Sequence, residues 1–122
     1  MDPRTLARIQ ALGRVAIGVA LIAASSKAAA GWMGEASRRP ATQTAVAAVG
    51  ARDLAIGLGT AWALGGGEGA RPWLLAGTLA DAIDFAATLK FRNDLPLGGV
   101  IGVGALAGGS AALGLGLLSQ LD

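Results

Sequence analysis

The stretch that decides the fold is residues 44–64, "TAVAAVGARDLAIGLGTAWAL". It is apolar along most of its length and matches the ~20 residues that a helix needs to cross the hydrocarbon core of a bilayer. Two full charges, Arg52 and Asp53, stand side by side near its middle. Charged side chains inside a membrane are costly and normally face the interior of a helix bundle. The stretch therefore predicts a membrane-spanning helix that contributes to a buried polar site.

Composition limits the classes of protein to which this chain can belong. The mean hydropathy of its 122 residues is +0.57 and 15% of them are charged, against roughly 25% in soluble domains. Cys and His are both absent, which excludes disulfides and the commonest metal ligands, so we expect no metal and no cofactor. The net charge is only +2, without a basic stripe that contains aromatic residues, so nucleic acid is not an expected partner.

Three further apolar segments of similar length are residues 5–26, 72–91 and 96–119. Pro72 and Pro96 stand where the third and fourth segments begin, as is typical of the first turn of a helix. "GGGEG" at 65–69 separates the second segment from the third. We therefore predict an all-α fold, in which residues 1–122 form one domain, an antiparallel up-down bundle of four transmembrane helices. Its expected surroundings are the lipid bilayer, and its expected location is the cell membrane, as a multi-pass protein.

The ends of these segments favour one orientation. Five Lys or Arg residues lie on the side of the first and third connections, against three on the side of both termini, which favours termini outside the cytoplasm. Trp62 and Trp73 fall at one predicted membrane face and Trp32 at the other, a pattern typical of interfacial aromatic belts. An alternative for the first 30 residues is a secretory signal peptide that ends in "AAA" at 28–30.

Charged residues lie at a similar depth in three of the four segments. Arg14 stands about nine residues into the first segment, and Asp81 stands about nine residues into the third. At ~1.5 Å per residue, this depth is near the middle of a hydrocarbon core that is ~30 Å thick. Antiparallel neighbours reach that level from opposite faces, so we expect the charges of the three segments to converge in one layer.

The faces of the predicted helices agree with such convergence. Asp81 and Asp84 are i,i+3 neighbours, and their stripe of small and polar residues continues to Thr88. Gln10 lies one turn before Arg14 on a similar stripe of the first segment. The i,i+3 pair also resembles half of an aspartate-rich magnesium motif, but a single D-x-x-D is a frequent coincidence, so we predict no metal site.

Arg52 and Asp53 cannot both face the bundle axis, because neighbouring helical residues diverge by about 100°. The length of Arg52 would let it reach an aspartate of the next helix. Two arginines against three aspartates leave one carboxylate in excess, which suits an acid, a base or a proton carrier. The predicted catalytic residues are Asp53, Asp81 and Asp84. The predicted ligand-binding residues are Arg14, Arg52, Gln10 and Thr88.

The fourth segment contains the glycine-rich run "GGVIGVGALAGG" at 98–109. It lacks the Lys-Ser/Thr pair that follows the glycines of a phosphate-binding loop. The pairs Gly98-x-x-x-Gly102 and Gly104-x-x-x-Gly108 instead predict close helix packing. The same face is the expected contact of a homo-oligomer.

The runs "GARDLAIGLGTAWAL" (50–64) and "WLLAGTLADAIDFAATL" (73–89) resemble a family of small uncharacterised bacterial four-helix integral membrane proteins, classed as a domain of unknown function. The resemblance covers about residues 8–118. It implies the four-helix membrane fold but no reaction. In length and helix number the chain is also similar to small multidrug transporters, which depend on a glutamate in their first helix, where this chain has Arg14 and no acid. The residues that carry the family resemblance are Gly50, Arg52, Asp53, Asp81 and Asp84.

The leading hypothesis is a membrane-embedded pocket between the first three helices that binds a small lipophilic molecule. As an enzyme, the protein would transform that molecule by acid/base isomerisation, cyclisation or hydrolysis. One alternative is a proton-coupled transporter that acts as an oligomer. Another is a non-enzymatic accessory subunit of a membrane complex, in which the charges fix helix register. The sequence leaves open whether the chain is an enzyme, because a buried carboxylate can be catalytic or can hold an arginine in place.

Overall fold

The computed structural model describes residues 1–67 and 69–121, and those residues form helices without any strand. The prediction of an all-α fold is confirmed. Glu68, within the predicted break at 65–69, and Asp122, at the end of the predicted domain, lie outside the described residues. In chain order the elements are α1 (Pro3–Ala23), α2 (Ser25–Met33), a 3-10 turn (Gly34–Arg38), α3 (Pro40–Leu64), α4 (Arg71–Lys90), a second 3-10 turn (Arg92–Asp94) and α5 (Leu97–Leu118).

Prolines and a side-chain cap determine where the long helices begin. Pro3, Pro40 and Pro72 occupy the first turns of α1, α3 and α4, where a missing N–H costs no intrahelical hydrogen bond. The Asp2 carboxylate caps α1 by accepting from the Thr5 backbone N–H at 3.1 Å and from its hydroxyl at 2.6 Å. The hydroxyl bond is the main reason that the pKa of Asp2 is lowered. Each of the four long helices begins and ends within four residues of the first and last residues of its predicted segment.

The short helix α2 is not predicted by the apolar pattern. The chain leaves the helical conformation at Ala24, where φ is −137° and ψ is 55°. The Ser25 hydroxyl donates to the Leu21 carbonyl oxygen at 2.6 Å, and so satisfies an acceptor at the end of α1. The break between α1 and α2 therefore lies at Ala24, and the Ser25 hydroxyl provides a hydrogen bond to the end of α1.

Glycines allow α1 and α3 to approach closely. A Cβ atom added to Gly18 would lie 2.6 Å from the Gly50 carbonyl oxygen, and one added to Gly57 would lie 2.7 Å from the Ala11 carbonyl oxygen. Both distances are shorter than any ordinary van der Waals contact, so neither position tolerates a side chain. Since later residues of α1 meet earlier residues of α3, the two helices are antiparallel.

α5 packs antiparallel to α4 and also contacts α2. Gly114 packs directly on the Thr78 side chain, and a Cβ atom added to Gly108 would lie 3.6 Å from the Phe85 ring. Near its start, α5 approaches the backbone of α2 through Gly99. The glycines of α5 that touch other helices therefore serve two contacts, since Gly99 faces α2 whereas Gly108 and Gly114 face α4.

The glycine pairs that the sequence singled out in α5 do not pack closely within the chain. Gly98 and Gly102 are exposed, and a Cβ atom at either one would have nothing within 4 Å. Gly104 also has nothing within 4 Å, and Gly108 makes only ordinary contact. The prediction of close packing through these pairs is wrong within the chain. Because adjacent helical positions diverge by about 100°, Gly98 points outward where Gly99 points inward.

The distribution of side chains is the reverse of that in a soluble protein. Large hydrophobic side chains are exposed on all four long helices, for example Ile17, Leu58, Leu79 and Ile101. The buried hydrophobic residues are mostly alanines, and charged residues such as Arg14 are buried with them. Soluble proteins instead bury Leu, Ile and Val and expose charged residues.

Two helices, α1 and α5, are long and apolar enough to cross a membrane by length and composition. α1 lies near the N-terminus, where a signal sequence has the same properties. α3 and α4 are not among these candidates, and each carries two charged residues near its middle.

We expect Gly18→Ala to destabilise the protein, because the new methyl group would meet the backbone of α3. The expected loss is about 1–3 kcal/mol in the free energy of unfolding, the usual effect of overpacking. The measurement is unfolding followed by circular dichroism in one detergent. The matched control is Gly13→Ala on the same helix, where nothing lies within 4 Å of the added Cβ and alanine has the higher helix propensity. Equal stability of the two variants would contradict the close contact between α1 and α3.

Candidate functional site

Five charged side chains from three helices meet in the interior of the protein, and we call them the ion network. α1 provides one arginine, α3 provides an arginine and an aspartate, and α4 provides two aspartates. The antiparallel packing of α3 against both α1 and α4 brings their middles to the same level. The members of the ion network are Arg14, Arg52, Asp53, Asp81 and Asp84.

Arg14 is the most buried cation of the ion network, with a relative exposure of 8%. Its Nη1 donates to Asp53 Oδ1 at 3.3 Å, and its Nη2 donates to Asp81 Oδ2 and to the Gly77 carbonyl oxygen, the latter at 2.9 Å. The guanidinium can lie against α4 because Gly77 has no side chain, since an added Cβ would lie 2.9 Å from Nη2. One arginine of α1 therefore connects α3 to α4.

Arg52 binds the second aspartate of α4 in a two-point contact. Its Nη1 donates to Asp84 Oδ1 at 3.0 Å and its Nη2 to Asp84 Oδ2 at 2.7 Å. This fork-to-carboxylate geometry is the strongest arrangement that an arginine and a carboxylate can form. The Arg52 side chain does reach the next helix, as its length suggested. The Nε atom of Arg52 is buried without a hydrogen-bond partner among the described residues.

Asp53 connects the Arg14–Asp81 pair to the Arg52–Asp84 pair. Its Oδ1 accepts from Arg14 Nη1 and from Arg52 Nη2, each at 3.3 Å. The two aspartates of α4 do not act together, because Asp81 pairs with Arg14 whereas Asp84 pairs with Arg52. The i,i+3 spacing of these aspartates thus serves two different arginines. No group of three or more metal-ligating side chains of the type His, Cys, Asp or Glu occurs in the described part of the chain.

A cavity of about 600 Å³ borders the ion network. It lies mainly between α1 and α5, and not between the first three predicted helices alone as the sequence suggests. Four members of the network form its polar end, Arg14, Asp53, Asp81 and Asp84. Ile9, Ile17 and Leu106 belong to its lining and are also exposed, so they mark a mouth at the outer surface of the protein. The remaining lining residues are Leu6, Gln10, Gly13, Leu21, Ala28, Trp32, Val49, Val103, Ala105, Ala107, Gly109, Ser110 and Leu113.

Two of the predicted ligand-binding residues do not border the cavity. Thr88 is only 1% exposed, and its hydroxyl oxygen accepts from Trp32 Nε1 at 3.1 Å, so Thr88 positions a tryptophan of the cavity wall. Arg52 lies behind Asp53 and Asp84 and is absent from the lining. Gln10 does line the cavity, but its amide already donates to the Ser110 carbonyl oxygen at 3.0 Å and to the Ser110 hydroxyl at 2.8 Å.

Sequence reasoning missed Trp32 and Ser110 as residues of this site. The sequence places Trp32 at a membrane interface, and no local pattern relates it to Thr88, which lies 56 residues further along the chain. Ser110 did carry a signal, because it is a polar residue within the otherwise apolar middle of the fourth segment. Such a residue needs a hydrogen-bond partner when it is buried, and here Gln10 provides it.

Comparisons with known proteins add no assignment for this site. No protein-family model matches the chain. No curated protein matches it either. A search of solved structures likewise gives no match. The resemblance to a bacterial four-helix membrane family stays a prediction.

We expect Arg14→Met to destabilise the protein strongly, because it leaves the carboxylates of Asp53 and Asp81 without this partner. Breaking a buried ion pair typically costs about 3–5 kcal/mol. A second substitution, Asp81→Asn, should recover part of this loss. The measurement is the free energy of unfolding in mixed micelles of increasing denaturing-detergent content.

Arg38→Met is the matched control for Arg14→Met. Arg38 also pairs with a carboxylate, Glu35, but the side chains of that pair are 77% and 92% exposed. An exposed pair is worth less than about 1 kcal/mol, so this variant should unfold like the unmodified protein. Equal effects of the two substitutions would show that the ion network does not hold α1, α3 and α4 together.

Proposed function

We propose that the chain is an integral membrane protein in which α1, α3, α4 and α5 form a four-span antiparallel bundle. Support comes from the reversed distribution of side chains, since each of the four helices exposes large aliphatic residues. Exposed apolar surface of this extent is favourable against lipid and costly against water. The charges of α3 and α4 that keep these helices from being obvious membrane spans face the interior and are paired, as intramembrane charges normally are.

The positions of the other charges also support four spans. Arg8, Lys27, Arg71, Lys90 and other exposed charged residues lie at or near the helix ends or in the connections, where lipid headgroups and water are accessible. Arg14 contacts residues of α3 and α4, which supports α1 as a permanent part of the fold rather than a cleaved leader. Arg14 belongs to the ion network and is therefore counted for neither side of the membrane. The Lys and Arg residues outside the spans then number five on one side and three on the side of the termini, which favours termini outside the cytoplasm.

Single-cysteine labelling distinguishes four spans from two. The chain contains no cysteine, so every introduced thiol is unique. In a four-span bundle, Leu58→Cys and Leu79→Cys on α3 and α4 should resist a membrane-impermeant maleimide, although both positions are exposed on the protein surface. In a protein that spans the membrane only with α1 and α5, both thiols would contact water and would react fully.

Two pairs of control positions report the sides of the membrane. Gly69→Cys and Ser119→Cys should react from one side of sealed vesicles, and Lys27→Cys and Asn93→Cys from the other. Each of these four residues is exposed near a helix end or in a connection. Reaction of all four from the same side would contradict the antiparallel four-span arrangement.

We further propose that the function of the protein is to bind a small lipophilic molecule in the cavity between α1 and α5. The observation that carries this proposal is a cavity of about 600 Å³ with apolar walls, one charged end and an exposed aliphatic mouth. Ligand sites commonly have about 300–1,000 Å³, with apolar walls and a few convergent polar groups. In a membrane this mouth faces the acyl chains, so a lipophilic molecule reaches the site without crossing water.

The chemistry that the ion network can supply is proton transfer. Asp53 and Asp81 border the cavity, and each uses only one carboxylate oxygen in its hydrogen bonds to the described residues. The other oxygen of each is therefore able to accept a proton or a hydrogen bond from a bound molecule. Asp84 is a poorer base, because Arg52 occupies both of its oxygens. Of the three predicted catalytic aspartates, we thus assign acid/base roles to Asp53 and Asp81, for an isomerisation, cyclisation or hydrolysis.

Native mass spectrometry of gently purified protein tests the proposed binding. The expected result is a retained small molecule in the unmodified protein and its loss in Gly109→Phe, because Gly109 borders the cavity and a ring there would enter the free space beside it. The matched control is Gly102→Phe on the same helix, which is also exposed with no neighbour within 4 Å but lies outside the cavity lining. This variant should retain the molecule.

Two other results would contradict the binding function. An unmodified protein that carries no small molecule and forms a defined oligomer would favour the proton-coupled transporter, and proton flux into liposomes would be measured next. Retention of the molecule by Gly109→Phe at the level of Gly102→Phe would place it outside the cavity, as an annular lipid.

A further inference from the structure

The charges around the cavity do not balance. The ion network contains three aspartates and two arginines, so with every group ionised it has an excess of one negative charge. An uncompensated charge in an apolar interior is expensive, and a proton or a bound cation removes that expense. The cavity borders three of the carboxylates but only one of the guanidinium groups, that of Arg14.

Two carboxylate oxygens at the cavity are available to a hydrogen-bond donor of a ligand. The main donors are already engaged, since the Nη atoms of Arg14 bind two aspartates and a carbonyl oxygen. The Gln10 amide donates to Ser110, and the Trp32 indole donates to Thr88. Asp53 Oδ2 and Asp81 Oδ1 accept no hydrogen bond from the described residues, so both are open to a donor group of a ligand.

We infer that the ligand of the cavity is a lipophilic amine, bound as its ammonium ion. This inference rests on the proposed binding function and specifies its ligand class. The ammonium group donates to the remaining oxygens of Asp53 and Asp81 and neutralises the excess charge. The apolar part of the molecule lies between α1 and α5, against Ile9, Ile17 and Leu106. No acidic group of this site is then left without a cation.

Other head groups satisfy this site less well. A carboxylate head would bring a fourth negative charge next to Asp53 and Asp81. A hydroxyl head donates one hydrogen bond but leaves the excess charge in place. An ammonium ion fulfils both requirements, because it carries a positive charge and up to three N–H donors. The ranking of head groups is therefore amine first, alcohol second and carboxylate last.

The experiment uses decylamine, decanol and decanoate, which share one apolar chain. Each is titrated by calorimetry into the full-length protein in nanodiscs of zwitterionic lipid, and the heat of partitioning into empty nanodiscs is subtracted. We expect the dissociation constant of decylamine to be about tenfold or more below that of decanol, because hydrogen bonds to charged groups are the stronger ones. Decanoate should bind more weakly than decanol. Binding of all three should be lost in Gly109→Phe and kept in Gly102→Phe.

Asp81→Asn provides a second test within the site. It removes one negative charge while keeping the shape of the side chain, so the preference for decylamine over decanol should fall to about threefold or less. The affinity for decanol should change little, because the apolar part of the cavity is intact. The head-group ranking of the unmodified protein does not depend on this variant, so the inference stays testable if Asp81→Asn does not fold.

The outcomes separate this inference from the binding function on which it rests. If decanol or decanoate binds as tightly as decylamine, and Gly109→Phe blocks the binding, the cavity is a ligand site but the inference of an amine is wrong. If decylamine binds equally well to Gly109→Phe, it lies outside the cavity and the inference is likewise overturned. If none of the three probes binds, both the amine and the lipophilic-ligand function are contradicted.

Discussion

The contact on which the rest of the structure depends is the one that Asp53 makes with two arginines. Its Oδ1 accepts from Arg14 of α1 and from Arg52 of its own helix, and these arginines each continue to a different aspartate of α4. Removal of this carboxylate would leave two guanidinium groups with one negative partner each and no bridge between them. One connected set of ion pairs therefore joins α1, α3 and α4, so a change in the ionisation of any member affects the contacts between these helices.

Small residues make this set of ion pairs possible. Ion pairs at the centre of a helical protein need helices that approach closely, and glycines at 18, 50 and 57 allow α1 and α3 to do so. Gly77 leaves room for the Arg14 guanidinium against α4. Hydrophobic burial between the helices contributes little specificity, because the buried hydrophobic residues are mostly alanines. Charge pairs and close backbone contacts thus determine the register of the helices here. In a soluble core, large side chains determine it.

Much of this arrangement could be predicted from the sequence, and the rest could not for physical reasons. Helix period and segment length locate the four long helices and place the five charges at one level. They do not say which arginine pairs with which aspartate, because Asp81 and Asp84 share a face and both are within reach of either arginine. They also do not predict α2, because the apolar pattern continues to residue 26 and gives no sign of the break in the helix at Ala24. The outward direction of Gly98 and Gly102 depends on the rotation of α5 about its own axis, which packing against α2 and α4 decides.

One feature of the ion network has a consequence for biosynthesis. Arg14 and its partner Asp81 are separated by 67 positions in the chain. A ribosome therefore completes α1, α2 and α3 before Arg14 can meet that aspartate. Until α4 is synthesised, Asp53 is the one aspartate of the ion network that can pair with Arg14. α1 and α3 alone contribute two arginines and one aspartate to the ion network, so its excess charge is positive until α4 adds Asp81 and Asp84.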